Sequence, residues 1–185
     1  MGTEKTCLSC SRIIDAAALF CDRCGGNYAS APREGVENAA TRLNDRIVAE
    51  WSAGRHPDEY FADGYVREDR RTLIAMPDAD KESFREVLEH IFAFGGRVPR
   101  NRPVAVRGER FALTHGPIEY DDGRSVVDML VVHVADESLR HIERNVLFDG
   151  EDFEEAYETL DQLWLDSLPA NTATTIRTSL GNADP

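Results

Sequence analysis

Apolar residues recur every four positions in the first strongly patterned segment of the chain. This row consists of Ala39, Leu43, Ile47 and Trp51. It predicts an amphipathic helix that stops at Gly54. The same period predicts helices over 82–94 and 151–168, and Pro57 begins a short helix that includes Tyr60 and Phe61. Each long helix has one apolar side, which needs a second layer to cover it.

Period-two alternation and β-branched residues predict strands between and after these helices. The predicted strands are 65–70, 103–107, 110–120, 125–134 and 139–148. Short turn-forming sequences join the last four, as is typical of an antiparallel meander. Helices, then a meander, then a closing helix predict an α+β domain.

All four cysteines lie near the N-terminus in the pattern C-x2-C-x10-C-x2-C, as Cys7, Cys10, Cys21 and Cys24. Zinc prefers four soft donors in a tetrahedron, and a two-residue gap lets both sulfurs of a tight turn reach one metal. The pattern predicts one structural zinc, whose binding supplies the folding energy of a segment too small to fold alone. Two disulfides or thioredoxin-type redox chemistry are the alternatives, and a reducing compartment argues against the first of these.

Composition shifts divide the chain into four parts. We predict a zinc-binding segment over 1–30, a small and polar linker over 31–35, the α+β domain over 36–168 and a flexible tail over 169–185. The strand 125–134 is apolar on both faces, which predicts a homodimer in which a second copy covers one face.

Charge restricts the partners of the chain. With 21 Lys and Arg against 34 Asp and Glu, the net charge is −13, which argues against a nucleic-acid-binding role. The acidic residues concentrate in the last predicted helix, where they form solvated surface or a docking face. In contrast, 97–110 contains five arginines, which line a solvated loop rim or contact an anionic ligand or an acidic partner. No apolar run of about 20 residues and no secretory signal are visible, so we expect a cytoplasmic protein without a membrane span.

Two segments resemble known families. CLSC at 7–10 and LFCDRCGG at 19–26 resemble zinc ribbons. EWSAGR at 50–55, YFADGYVREDRR at 60–71 and FDGED at 148–152 resemble the SnoaL-like, nuclear transport factor 2-like (NTF2-like) family. The similarity is greatest to domains at the C-termini of actinobacterial regulators and adenylate cyclases. It implies a cone-shaped, curved antiparallel sheet around a cavity that the helices close.

That family contains both enzymes and non-catalytic binding proteins, so its fold does not decide function. The resemblance aligns the aspartate base of ketosteroid isomerase with Asp69, but the oxyanion-binding tyrosine falls on Ile47 and the second aspartic acid near Leu130. The oxyanion hole is therefore missing. Asp69, Asp128 and Arg144 together would suit an epoxide hydrolase, although no motif matches that family.

Asp128 interrupts an apolar strand and shares a face with Leu130 and Val132. If this face lines a cavity, the carboxylate has a raised pKa and acts as a general acid or base. Pairing with an arginine or with solvent is the alternative for Asp128, and a surface ion-pair cluster is the alternative for Asp69. The candidate pocket residues are Trp51, Tyr65, His115 and Arg144.

These observations favour a non-enzymatic protein that senses a small apolar molecule or docks onto a protein partner, linked to signalling or transcription. The alternative is an isomerase, cyclase or hydrolase that uses Asp69 or Asp128.

Overall fold

The computed structural model describes residues 4–6, 13–15, 36–72, 75–98, 101–120 and 125–173. The chain divides into two compact units, 1–35 and 36–185. In the first unit, strands β1 (Glu4–Thr6) and β2 (Ile13–Asp15) pair antiparallel. The four cysteines and the linker lie outside the described residues, so the zinc ribbon and the linker stay predictions.

Helix α1 (Ala39–Ser52) begins at a capping box, which fixes its position on the sheet. The Asn38 side chain accepts from the Thr41 N–H at 2.9 Å, and the Thr41 hydroxyl accepts from the Asn38 N–H at 2.9 Å. The Asn38 amide also donates to the carbonyls of Gly108, at 2.8 Å, and Phe111, at 2.9 Å. These two bonds connect the start of α1 to the turn that contains Gly108.

The remaining elements of the second unit follow in chain order. They are a 3₁₀ turn (Asp58–Tyr60), β3 (Phe61–Asp69), β4 (Ala79–Asp80), α2 (Lys81–Ala93), β5 (Arg102–Arg107), β6 (Phe111–Tyr120), β7 (Ser125–Ala135), β8 (Ile142–Asp149) and α3 (Phe153–Ser167). The three long helices and the four strands of the meander are confirmed. The predicted helix after Pro57 is a single 3₁₀ turn, because Phe61 already begins β3. Residues 170–173 form a helical turn with Ala173 buried, and the rest of the predicted tail, 174–185, lies outside the described residues.

Six strands form one sheet in the order β4-β3-β8-β7-β6-β5. Neighbours from β5 to β8 pair antiparallel, as the meander predicts. However, β3 pairs parallel with β8, with Arg67 opposite Asn145, so the sheet is mixed rather than wholly antiparallel. The two strands are far apart in sequence, and no tight turn forces them to run in opposite directions.

Helices pack on both faces of the sheet. Leu130 and Val132 of β7 belong to a buried cluster with Leu160 of α3. Met129 and Val131, which alternate with them, belong to a cluster flanked by residues of α1 and α2. Helices therefore cover both apolar faces of β7, and the homodimer stays a prediction. Within the described ranges, no helix is long and apolar enough to cross a membrane.

Candidate functional site: a cavity between two helices and the sheet

A cavity of about 140 Å³ lies between α1, α2 and the sheet. Its wall is mostly apolar. The apolar contributors include Ile47, Val48, Trp51, Phe84, Val87, Ile91, Val98, Met129, Val131 and Leu147. The polar contributors include Asn44, Arg67, Arg71, Asn101, His133 and Asn145. The wall is typical of small-molecule sites, which combine an apolar surface with a few placed polar groups.

Strand alternation explains how β7 contributes to this wall. Val127, Met129, Val131 and His133 all line the cavity. Residues two apart on a strand share a face, so His133 continues an apolar row into the buried interior. The residue is only 4% exposed.

His133 belongs to a buried chain of hydrogen bonds. The Asn145 amide nitrogen donates to the Tyr65 hydroxyl at 3.0 Å, which leaves the amide oxygen to accept from His133 Nδ1 at 2.9 Å. His133 Nε2 then accepts from the Thr114 hydroxyl at 2.9 Å. The assignment follows from the donors and acceptors available. Both ring nitrogens are thereby engaged.

Burial sets the ionisation of this network. It lowers the pKa of His133 to about 4, although the hydrogen bond to Asn145 opposes the shift. Burial also raises the pKa of Tyr65 well above its ordinary value, and Asn145 again opposes the shift. At neutral pH both side chains are therefore uncharged.

Asp69, a predicted catalytic residue, forms a bidentate ion pair with Arg71. Its carboxylate accepts from Arg71 Nε at 2.8 Å and Nη2 at 2.6 Å, and from the Met76 N–H at 3.2 Å. Burial alone would raise the pKa of Asp69, but the bonds from Arg71 outweigh it and hold this pKa below its ordinary value. Arg71 lines the cavity, whereas Asp69 is not among the lining residues.

Arg67 is a second buried arginine in the wall. Its Nη2 donates to the Pro77 carbonyl at 2.9 Å, and Nη1 lies 4.0 Å from the Met76 sulfur. The guanidinium lies over the Phe84 ring, 5.5 Å from the ring centre. Its Nε is buried and has no hydrogen-bond partner within the described part of the chain. Burial lowers the pKa of Arg67, yet arginine remains protonated at neutral pH.

Two of the predicted pocket residues lie at or beneath the cavity. Trp51 lines it, and the buried indole Nε1 has no hydrogen-bond partner among the residues that the structure describes. The Trp51 ring meets Phe92 edge-on, with ring centres 5.5 Å apart. Tyr65 is not among the lining residues; it is buried and bonded to Asn145, which does line the cavity.

The other predicted site residues lie on the face against α3. Asp128 alternates with the cavity-lining residues of β7, and its carboxylate lies within hydrogen-bonding distance of His115 Nε2, at 2.9 Å. The His115 ring lies 5.7 Å from that of Phe153 in α3. Arg144 pairs with Glu68 at 3.3 Å. The condition under which Asp128 would act in a cavity is therefore not met, because the cavity lies on the opposite face.

The site residues predicted from the sequence do not include Arg67, His133 or Asn145. The alternation of β7 carried a signal for His133, because Val127, Met129 and Val131 precede it on one face. No comparable signal marked Arg67, whose neighbour in the sheet comes from the distant strand β8. Among the described residues, no group of three or more His, Cys, Asp or Glu side chains is placed to hold a metal ion.

No protein-family model matches the sequence, and no curated protein matches it. Solved structures do match in fold. PrhC from Penicillium brasilianum has a TM-score of 0.50 at 12% identity, over 73% of this chain and 91% of that one. A SnoaL-like family protein from Agrobacterium tumefaciens has a TM-score of 0.47 at 16% identity, over 60% and 97%. A protein with a ketosteroid isomerase-like fold from Catenulispora acidiphila, solved with trimethylamine, has a TM-score of 0.43 at 11% identity, over 59% and 85%.

At these identities the likeness concerns the fold alone. The domain has an α+β fold with a six-stranded mixed sheet and packed helices, and this fold is similar to that of PrhC.

Proposed function

We propose that the α+β domain binds a small, largely apolar molecule without transforming it, as part of a sensing or docking role. The observation that carries this proposal is the cavity itself, whose described lining residues are apolar except for a few polar groups. An apolar cavity of about 150 Å³ is large enough to bind benzene. The cavity here, at about 140 Å³, fits a ligand of similar size.

The alternative, an isomerase, cyclase or hydrolase, has less support. Such enzymes need a general base within reach of the substrate. The described lining residues include no carboxylate, and both nitrogens of His133 are engaged. The bonds to Asp69 stabilise its ionised form, which makes this carboxylate a weak base.

A titration of the full chain with toluene, followed by amide NMR, tests binding. We expect saturable shifts at residues that line the cavity. A Val131→Phe variant should weaken binding at least tenfold, because the new ring fills the cavity next to Met129. Val126→Phe is the matched control, since Val126 is an exposed position on the same strand. Shifts that never saturate, or equal affinity in Val131→Phe, would refute the proposal.

Recovery of the natural ligand separates binding from catalysis. Small molecules released by denaturing the purified protein are identified by mass spectrometry and then incubated with fresh protein. We expect their masses and isomer composition to stay unchanged over hours. Turnover that survives in Val126→Phe and disappears in Val131→Phe would instead establish the enzyme alternative.

The N-terminal cysteines support a second proposal, one structural zinc per chain. Elemental analysis of protein purified without added metal should find one zinc, and Cys7→Ser should lower this content. Ser9→Ala, between the first two cysteines, is the control and should retain the metal. A metal-free chain whose N-terminal segment is nevertheless folded would contradict the zinc proposal.

A further inference from the structure

Arg67 is a buried cation whose role is not explained by the contacts around it. The residue is 2% exposed and lines the cavity. Among the described residues, its polar contacts are one backbone carbonyl, of Pro77, and one thioether, of Met76. A guanidinium has five N–H donors, and the buried Nε of Arg67 has no partner among those residues. The hydrogen-bonding capacity of Arg67 is therefore only partly used.

The charge of Arg67 is also unpaired. No ion pair joins it to a carboxylate of the described residues; Asp69 instead pairs with Arg71. Asp69 and Asp78 act on the Arg67 charge only through space. The Asp69–Arg71 pair carries no net charge, and His133 is neutral. The described wall thus presents one positive charge to the cavity.

Taking a charge out of water is costly unless a partner of opposite sign replaces the lost hydration. The planar fork of a guanidinium matches the two oxygens of a carboxylate. A doubly charged phosphate would leave one negative charge uncompensated in a mostly apolar wall. A single carboxylate on a small apolar body fits both the charge and the lining.

We propose that the ligand of this cavity is a small aryl or alkyl monocarboxylate whose carboxylate pairs with Arg67. This inference rests on the proposed small-molecule binding function. In the competing explanation, Arg67 only fastens β3 to the Met76–Pro77 segment, through its bond to the Pro77 carbonyl. The two explanations differ in whether charge on the ligand changes affinity.

Benzoate and benzamide test this difference, because they have the same shape and differ in charge. We expect the wild-type full chain to bind benzoate at least about tenfold more tightly than benzamide at pH 7.5, as hydrogen bonds to charged groups are the stronger ones. The Arg67 Nε–H resonance should shift with benzoate and not with toluene. Arg67→Met should reduce the preference to within about twofold. Arg144→Met, on the opposite face of the sheet, is the matched control and should retain the preference.

The outcomes are distinguishable. If toluene binds but wild type does not prefer benzoate, the monocarboxylate inference is wrong and the binding function stands. If neither toluene nor benzoate binds, both proposals fail. A preference that persists in Arg67→Met would also overturn the inference. Should Arg67→Met not fold, the wild-type preference and the Arg67 Nε–H shift still decide the question.

Discussion

His133 makes the stability of the domain depend on pH in a way that a single substitution isolates. The ring is buried, neutral and bonded on both sides, by Thr114 and Asn145. Its pKa is about 4 in the folded state against an ordinary value of 6.5. Because the unfolded chain takes up this proton first, the stabilisation is complete above pH 6.5 and is lost progressively as the pH falls from 6.5 to 4.

The expected size follows from the two pKa values. Between pH 7.0 and pH 4.5, the difference in proton binding at His133 lowers the free energy of unfolding by about 2 kcal/mol. In His133→Gln this contribution is absent, since glutamine does not titrate. The stability difference between wild type and His133→Gln should therefore shrink by about 2 kcal/mol over the same interval.

Urea denaturation at pH 7.0 and pH 4.5, followed by circular dichroism, measures this change. Val132→Ala is a suitable control, because it truncates a fully buried residue of the same strand and alters no titrating group. The free energy of unfolding of Val132→Ala should be lower than that of wild type by the same amount at both pH values. If the His133→Gln deficit is equally constant, or if the His133 ring titrates by NMR near 6.5, the reasoning is wrong.

Three further predictions concern stability. Asn38→Ala should lower the free energy of unfolding by about 2 kcal/mol in urea, because it removes the cap of α1 and the hydrogen bonds to the Gly108 and Phe111 carbonyls. An unchanged urea midpoint would argue against this role. Asp136→Asn should lower the melting temperature at pH 7. Burial would raise the pKa of Asp136, but hydrogen bonds from His141 and neighbouring groups outweigh burial and hold this pKa below its ordinary value of 3.8. This stabilisation is present above pH 3.8 and lost below it. The difference in melting temperature between wild type and Asp136→Asn should therefore vanish in acid. A difference that does not depend on pH would contradict this role of Asp136. Gly96→Ala should lower the free energy of unfolding by about 1–3 kcal/mol, because a Cβ would lie 2.8 Å from a carbonyl oxygen of α2. Thermal unfolding measures this change. Full retention of stability would show that the backbone shifts to accommodate the Cβ at little cost.

Local patterns were sufficient to predict most of the fold. The row from Ala39 to Trp51 predicted α1, and alternation with short turns predicted the meander, because both depend on neighbours in sequence. The parallel pairing of β3 with β8 was not predicted. It joins Arg67 to Asn145 across a long stretch of chain, and no local residue preference encodes that contact.

The candidate site was predicted less well, for a related reason. Trp51 was proposed for the pocket and does line it, because its place on the apolar stripe of α1 is a local property. Asp128 and His115 were proposed as separate site residues, yet they form a hydrogen bond with each other on the face against α3. Which face of β7 meets the cavity depends on where the helices pack. Both faces are apolar, so alternation alone could not decide between them.

The pairing of β3 with β8 has a consequence for how the chain folds. Helices α1 and α2 and the hairpins of the meander can form from residues that are close in sequence. The pairing of β3 with β8, however, cannot form before residues 142–149 have been synthesised. Closing a loop of this length costs about 4 kcal/mol of chain entropy, which the parallel contacts recover only late. A ribosome that has released the chain only as far as β7 therefore presents β3 with its inner edge unpaired. Completion of the sheet therefore waits for β8, and the long-range pairing should make it the slow step of folding.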